Sequence, residues 1–396
     1  MTSPDPTRPP AVVLQASGPN SLGIIRSLGR EGVPVIACDH DPRALGLRSR
    51  YARPWHTRDA LTDPDGFIED LLALGRTLPQ KGVLFATHDE AVTAVGPRED
   101  EVGEFFHRPW SPWPVMSRIV DKSHQHAVAR SIGFPVPATV EPADLADVEE
   151  AGRSLRFPLI LKPRQAPEFR RRFRTQVFES TDIGELRRHW ELAAPYEPQL
   201  SEVIPGGDER IWSLGSYRGA NGERLASFTG RKLRQWPPRF GTGRAAEASW
   251  DPDYAERGHA LLDALGYHGI SQLETKRDPR DGRDYLIEVN TRSWLWVGLA
   301  TLVDVNLPLA AYLDAIGRPR RWPEGHRGNM RWILSTKHLV AGPREIVSGR
   351  WTLGEFAASI RPPFHDGVFE LRDPRPALAL VRRHARRLRV KGTPGP

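Results

Sequence analysis

The chain has 396 residues, 39% hydrophobic and 27% charged, with a net charge of +7 and one cysteine, Cys38. That length suits two or three cooperating lobes of roughly 100–200 residues, and the balance is that of a folded chain. A single cysteine excludes an intrachain disulfide framework and a cysteine-cluster zinc site. No apolar run approaches the ~18–20 residues of a membrane span, and Met1–Pro10 lacks the apolar core of a secretory signal, so the expected location is cytoplasmic.

The positive charge comes almost wholly from arginine, because the chain has only seven lysines. A basic balance points to anionic partners. No zinc-finger, RRM or basic-zipper pattern is present, so nucleic acid is not among the expected ones.

Residues 1–10 are Pro-rich and read as a disordered tail. Ala11–Ala16 is an apolar strand, followed by Ser17-Gly18-Pro19-Asn20-Ser21, a helix over Leu22–Arg30 and a second strand, Val33–Cys38. This βαβ opening sets a parallel α/β lobe over residues 11–115. Its turn, Gly18-Pro19-Asn20-Ser21-Leu22-Gly23, is not the G-x-G-x-x-G of a dinucleotide enzyme. It is not a P-loop either, since Ile24-Ile25 stands where Lys-Ser/Thr is needed.

Asp121 N-caps a helix that starts at Lys122 and stops near Gly133. Phe157–Leu161 is a strand closed by Lys162. The lysines lie at a helix start and a strand end, although each alone also reads as a snorkelling surface residue.

From Pro198 onward the pattern is strands with tight turns. Gly269–Asp278, a turn near Asp281, and Asp284–Asn290 form a hairpin that places Glu274 opposite Glu288 and Gln272 opposite Asn290. Period-2 alternation puts these four on one face and Leu273, Tyr285, Ile287 and Val289 on the apolar other. Opposed carboxylates repel, and a divalent cation removes that penalty. Two carboxylates and an amide oxygen suit Mg²⁺ shared with phosphate; an ordinary exposed polar face is the alternative.

In the tail, Arg382, Arg383, Arg386, Arg387 and Arg389 alternate with Leu378, Val381 and Leu388. That pattern fits a membrane-surface helix, or the favoured solvated helix docked by a narrow apolar stripe.

Asp121-Lys122, Pro158–Pro163, Glu202-Val-Ile-Pro-Gly206, Gln272-Leu-Glu274 and Ile287–Arg292 together resemble the ATP-grasp superfamily of carboxylate–amine ligases. The likeness runs over about residues 11–320. The N-terminal lobe and Arg231–Pro237 look most like a bacterial carboxylate–amine ligase subgroup. The resemblance implies an α/β fold, α+β in the later lobes, with a Rossmann-like pre-ATP-grasp lobe at 11–115. A small ATP-grasp lobe would follow at 116–196, a large lobe with the metal site at 197–320, and a basic extension at 321–396.

It further implies that Lys122 and Lys162 hold the ATP phosphates and that Glu202 meets the adenine amino group beside the Val203 and Ile204 backbone. Asp208, or Glu209, would hold the ribose. Glu274, Glu288 and Asn290 would bind Mg²⁺, usually two ions, with Mn²⁺ able to substitute. Arg292 would meet the transferred phosphate, assisted by Lys232 or Arg231.

The implied reaction converts a carboxylate to an acyl phosphate that an amine attacks, releasing ADP and phosphate. Small-molecule carboxylates and amines are then the partners, and a homodimer is the default assembly. Asn20, His88, Asp89 and Trp294 are candidates for the substrate pocket, with capping and core packing as their structural alternatives.

Two departures stand out. The stretch Arg164–Arg174, glycine-rich in many relatives, is basic and glycine-free here. Gln272 occupies a position where some dipeptide-forming ligases carry arginine. The competing readings are a nucleotide-binding regulator of the same fold without ligase activity and a biotin-dependent carboxylase. The latter is disfavoured because the chain shows no biotinyl-carrier segment.

Overall fold

The computed structural model describes residues 5, 7–164, 166–237, 239–326 and 328–391. The first sheet contains β1 (Ala11–Leu14), β2 (Val35–Asp39), β3 (Ala52–His56), β4 (Gly82–Ala86) and β5 (Phe106–His107), all parallel in the order β3-β2-β1-β4-β5. The helix Pro19–Arg30 joins β1 to β2 with Pro19 in its first turn, where a missing N–H costs nothing.

Residues of β1 divide strictly by parity. Ala11 and Val13 enter one core, and Val12 and Leu14 enter another. A parallel sheet covered on both faces requires this.

A second, antiparallel sheet has the order β6-β9-β7-β8, with β6 Thr139–Val140, β7 Leu159–Lys162, β8 Phe178–Ser180 and β9 Gln199–Glu202. It carries its own core, in which Leu159, Leu161, Phe169, Leu186, Trp190 and Leu200 are buried.

The third sheet contains β10 (Ile211–Arg218), β11 (Arg224–Trp236), β12 (Thr242–Ala248), β13 (Gly269–Arg277), β14 (Asp284–Asn290), β15 (Arg331–Ile333) and β16 (Phe364–Asp366). Their order is β14-β13-β10-β11-β12-β15-β16. Its apolar residues belong to the same two cores as the first sheet: Tyr217, Phe228 and Ala246 to one, Leu214, Leu273 and Leu286 to the other. The first and third sheets are therefore continuous in packing, and the second sheet is the separate body.

The segment expected as a basic extension is built into this framework. β15 and β16 complete the third sheet, and Trp322 and Trp332 are buried, whereas Phe364 is partly exposed. Asp373 is fully buried and accepts from Arg26 Nε at 3.0 Å, Ser49 Oγ at 2.8 Å and the Arg50 N–H at 2.9 Å.

In the helix Arg375–Lys391, Ala377 and Leu380 do the docking, and Leu378 and Val381 remain exposed. The side chains of Arg386, Arg387, Leu388 and Arg389 lie outside the described ones.

At the other end, residues 1–4 and 6 are not described, but the rest of the expected disordered tail is held. The Asp5 N–H donates to Gly32 O at 3.0 Å, and the Pro9 carbonyl accepts from Tyr312 Oη at 2.7 Å. Among the described residues no helix is long and apolar enough to cross a membrane.

Replacing Asp373 with Ala removes the nearer of the two carboxylates beside the buried Arg26, leaving Glu370 at 3.4 Å, and takes the acceptor from Ser49 Oγ and the Arg50 N–H, a change that typically costs about 1–3 kcal/mol. Urea unfolding of this variant should show a loss of that size, and a loss within error would remove the anchoring role.

Candidate functional site

The hairpin register is the expected one: Gln272 pairs with Asn290 and Glu274 with Glu288. A bulge next to Glu274 leaves Ile287 without a partner and pairs Thr275 with Leu286. Alternation therefore slips by one residue. Leu286, not Tyr285 or Ile287, joins Leu273 and Val289 in the core. Ile287 lines the cleft instead, and Tyr285 hydrogen-bonds Asp281 at 2.9 Å.

Beyond the bulge the hairpin is held by Asp284, which is buried. It accepts from Arg277 Nε at 2.9 Å and Arg257 at 2.6 Å, while Arg277 lies over the Trp212 ring at 4.6 Å.

Lys122 and Lys232 converge on the two carboxylates from different elements. Lys122 opens the helix Lys122–Ser131, whose N-cap Asp121 accepts from the Ser123 N–H, and it forms an ion pair with Glu288. Gln125, one turn on, clamps that helix to β14: its Oε1 accepts from the Val289 N–H at 2.7 Å and its Nε2 donates to the Val289 carbonyl at 2.9 Å. Lys232 is buried on β11 and donates to Glu274 at 2.7 Å. Asn290 Nδ2 donates to Glu288 Oε1 and Gln272 Oε1, both at 3.2 Å.

These contacts set the electrostatics. The Lys122 ammonium holds the Glu288 carboxyl well below the usual carboxylate range. Burial opposes the charge on Lys122, but Glu288 outweighs it and raises the lysine. Burial pushes the Glu274 carboxyl up, against the pull of Lys232. Lys162, at the end of β7, is pushed down to about 8 by burial and by the neighbouring Lys122.

The group lines a cleft of about 440 Å³ between the second and third sheets. Lys122, Lys162, Glu202, Val203, Ile204, Lys232, Glu274 and Glu288 all line it. The Val203 N–H is already donated to the Pro158 carbonyl at 3.1 Å, so only its carbonyl is open to a ligand. The Ile204 N–H has no partner among the described residues.

Other predicted residues sit elsewhere. Asp208 turns to β11, where its two oxygens accept from the Gln235 N–H at 2.8 Å and Gln235 Nε2 at 3.0 Å. Neither Asp208 nor Glu209 lines the cleft. Arg231 precedes Lys232 on the strand and therefore faces the opposite side, paired with Glu247 at 2.5 Å.

Arg292 forks onto Asp89, at 2.8 and 2.9 Å, where the first and third sheets meet. His88 hydrogen-bonds Thr87 at 2.7 Å, and burial lowers its basicity. Asn20 Nδ2 donates to Thr87 O and Ser293 O, leaving a buried Oδ1 without a partner among the described residues. Trp294 is core: it packs edge-to-face on Trp296 and so close to β10 that a Cβ at Gly215 would lie 2.1 Å from its ring.

Sequence reasoning missed several lining residues. His126 is one turn after Lys122, a spacing that signals the shared face; burial pushes it down to about 4. Arg239 and Phe240, at the β11–β12 turn, reach over the cleft, and Arg239 pairs with Glu179 of β8 at 2.6 Å. The basic stretch after Lys162 is a helix, Ala166–Phe173, rather than a loop. Phe169 anchors it and Arg170 lines the cleft.

The donor set fits a metal–nucleotide. Two carboxylates and an amide offer hard oxygens, and the cleft lining carries four lysines and two arginines against three glutamates, an excess of positive charge that favours a polyanion. Among the described residues no cluster of three or more His, Cys, Asp or Glu could hold a metal ion, so phosphate oxygens would complete the coordination.

Solved structures share this arrangement of sheets. The biotin carboxylase domain of Hydrogenobacter thermophilus 2-oxoglutarate carboxylase, crystallised with MgADP and bicarbonate, superposes with a TM-score of 0.61 at 16% identity, covering 81% of this chain and 73% of that one. The chain has the ATP-grasp fold.

A second ATP-grasp neighbour is L-amino acid ligase from Bacillus licheniformis, with a TM-score of 0.57, 17% identity, and 79% and 75% of the two chains covered. In sequence, D-aspartate ligase from Enterococcus faecium (strain Aus0004) is 25% identical over 260 residues, 61% of this chain and 61% of that protein. The match thus spans under two thirds of that relative's length. No family model matches the chain.

Inorganic sulfate, whose own charge does not change across this range, tests the charge of the cleft directly. Lys162 is an ammonium below about 8 and neutral above it, so binding should be tightest below pH 8 and weaken as pH rises through that value. Calorimetry on the Lys162→Met variant should show the transition abolished. A pH profile shared by both proteins would remove Lys162 from the site.

Proposed function

We propose that the chain is an ATP-dependent carboxylate–amine ligase that works through an acyl phosphate and releases ADP and phosphate. The observation that carries this reading is the opposed pair Glu274–Glu288, neutralised by Lys122 and Lys232 at the wall of a cleft between two sheets. An ammonium on each carboxylate keeps the pair folded, and both lysines are placed to exchange carboxylate for phosphate oxygens when nucleotide enters.

In this reading the Val203 carbonyl and the Ile204 N–H present one acceptor and one donor to the adenine edge, with Glu202 beside them. Glu202 Oε1 already accepts from the Arg156 N–H at 2.9 Å, which orients it. Lys122, Lys162 and Arg170 hold phosphate oxygens. Glu274, Glu288 and Asn290 hold Mg²⁺, whose chemistry is to neutralise charge on the phosphoryl group being transferred. The ribose contact passes from Asp208 to residues that line the cleft, such as Lys276 or Gln199.

The carboxylate and amine are assigned to the junction of the first and third sheets, where Arg292, Asp89, His88 and Asn20 gather. Arg292 would meet the acyl phosphate once released from Asp89, and Asp89 would then be free to receive an ammonium. An amino acid as one substrate is supported by the named activities of the D-aspartate and L-amino acid ligases. A homodimer is supported by the dimeric biotin carboxylase neighbour.

Incubation with Mg-ATP and pooled amino acids should yield ADP and a product lighter than its two parents by one water. AMP in place of ADP would overturn the acyl-phosphate route. Glu288→Gln removes one carboxylate charge at constant size, and turnover should fall roughly 100-fold or more with the melting temperature little changed. Full activity in that variant would remove the metal assignment.

A further inference from the structure

A second cavity, of about 710 Å³, shares no lining residue with the nucleotide cleft. It lies where the helix Arg375–Lys391 passes over β3 and the turn Gly46–Arg48. One wall carries Arg43, Arg48 and the buried Leu45 and Leu47. On the helix Arg375, Leu378, Ala379, Arg382 and Arg383 face it, a recurrence of three, four and seven residues that marks a single helical face. The groove is preformed, because Asp373 and Ala377 fix the start of the helix to the first sheet's lobe.

Its charges are incompletely matched. Arg43 is paired with Asp41 at 2.9 Å, and Arg383 interacts with the same carboxylate at longer range. Among the described residues the Arg48 guanidinium reaches only the Pro42 carbonyl, at 3.0 Å. Arg375 and Arg382 make no hydrogen bond or ion pair with any described residue. Arg375 also stands in the first turn of a helix without an acidic residue there, where the peptide dipoles already disfavour a cation.

We propose that this groove binds a single phosphate-bearing amphiphile. Its phosphate would take the planar forks of Arg48, Arg375 and Arg382, and its apolar part would lie on Leu45, Leu47 and Leu378. Guanidinium groups on two opposing walls suit a group with several acceptor oxygens, as phosphate has. Leu45 and Leu47, on the wall with Arg48, are each only 7% exposed, so a narrow apolar chain reaches them and a flat membrane surface does not. The volume is that of a small-molecule site.

The probe is monododecyl phosphate below its micellar concentration, titrated calorimetrically into the full chain. Pyrophosphate, dodecyl maltoside and phosphatidylglycerol vesicles serve as comparisons. Monododecyl phosphate should bind more tightly than either small comparison compound. The exposed pair Arg375→Glu and Arg382→Glu should weaken it about tenfold or more while Mg-ATP binding at the cleft is unchanged. Leu378→Ser, which removes apolar surface without adding charge, should weaken the amphiphile and leave pyrophosphate alone.

No binding of monododecyl phosphate would overturn the proposal, as would equal binding of the maltoside or an unaffected arginine variant. Pyrophosphate binding as tightly would reduce the groove to a plain anion site. Binding to vesicles without binding of the monomeric probe would make the helix a membrane contact instead. Because the readout is binding at residues outside the cleft, failure of the ligase reading leaves this test intact.

Discussion

Two carboxylates held directly across a buried hairpin are the constraint around which the third sheet is organised. Side chains at such a pair lie within roughly 4.5–5.5 Å at Cβ, and like charges there are destabilising. Three of the residues that approach the hairpin bring a counter-charge or a positioning bond. Lys232 arrives from β11, Lys122 from the helix that follows the first lobe, and Gln125 fastens that helix to the β14 backbone on both sides of Val289. The two ammonium groups stabilise a face that would otherwise resist folding, and in the proposed function a metal bound to a polyphosphate would take over that role.

Core continuity explains which parts of the molecule can move. The first and third sheets share two cores, whereas the second sheet closes on its own aromatic set around Phe169. Separate cores make the second sheet the body free to change position over the cleft. One exposed ion pair, Arg239–Glu179, spans the cleft mouth, and such a pair is worth little in water, so it would guide closure without preventing opening. On the opposite side, β15 and β16 bind the C-terminal segment to the third sheet and the buried Asp373 binds it to the first lobe, which fixes the wall against which any closure would occur.

Much of this was legible in the sequence because the decisive spacings are short. The register of Glu274 with Glu288 follows from turn position and period 2, and the helix at Lys122 follows from Asp121 and from Gly133, which has a φ of +73°. A bulge was not legible: Ile287 and Tyr285 were expected in the core, yet one unpaired residue exchanged their places with Leu286. Gln125 was equally invisible, since a polar residue in a polar helix shows its meaning only when β14 lies beside it. Asp208 misled for a related reason. Its turn placed it near the nucleotide strand, but the competing acceptor role toward Gln235 depends on a β11 neighbour 27 residues away.

The glycine-free stretch after Lys162 shows how a local substitution alters the mechanics of a shared fold. A glycine-rich loop closes over phosphates by changing its own backbone, at the entropic cost of ordering permissive residues. Here the same stretch is a helix whose Phe169 is buried among Phe173, Phe178 and Tyr196, with ring centroids 4.8–5.4 Å from its own. A helix anchored in this way cannot fold down independently of its sheet. Arg170, which lines the cleft from it, therefore approaches a bound phosphate only when the whole second sheet does. In the proposed function, charge delivery and closure would therefore be one rigid-body event.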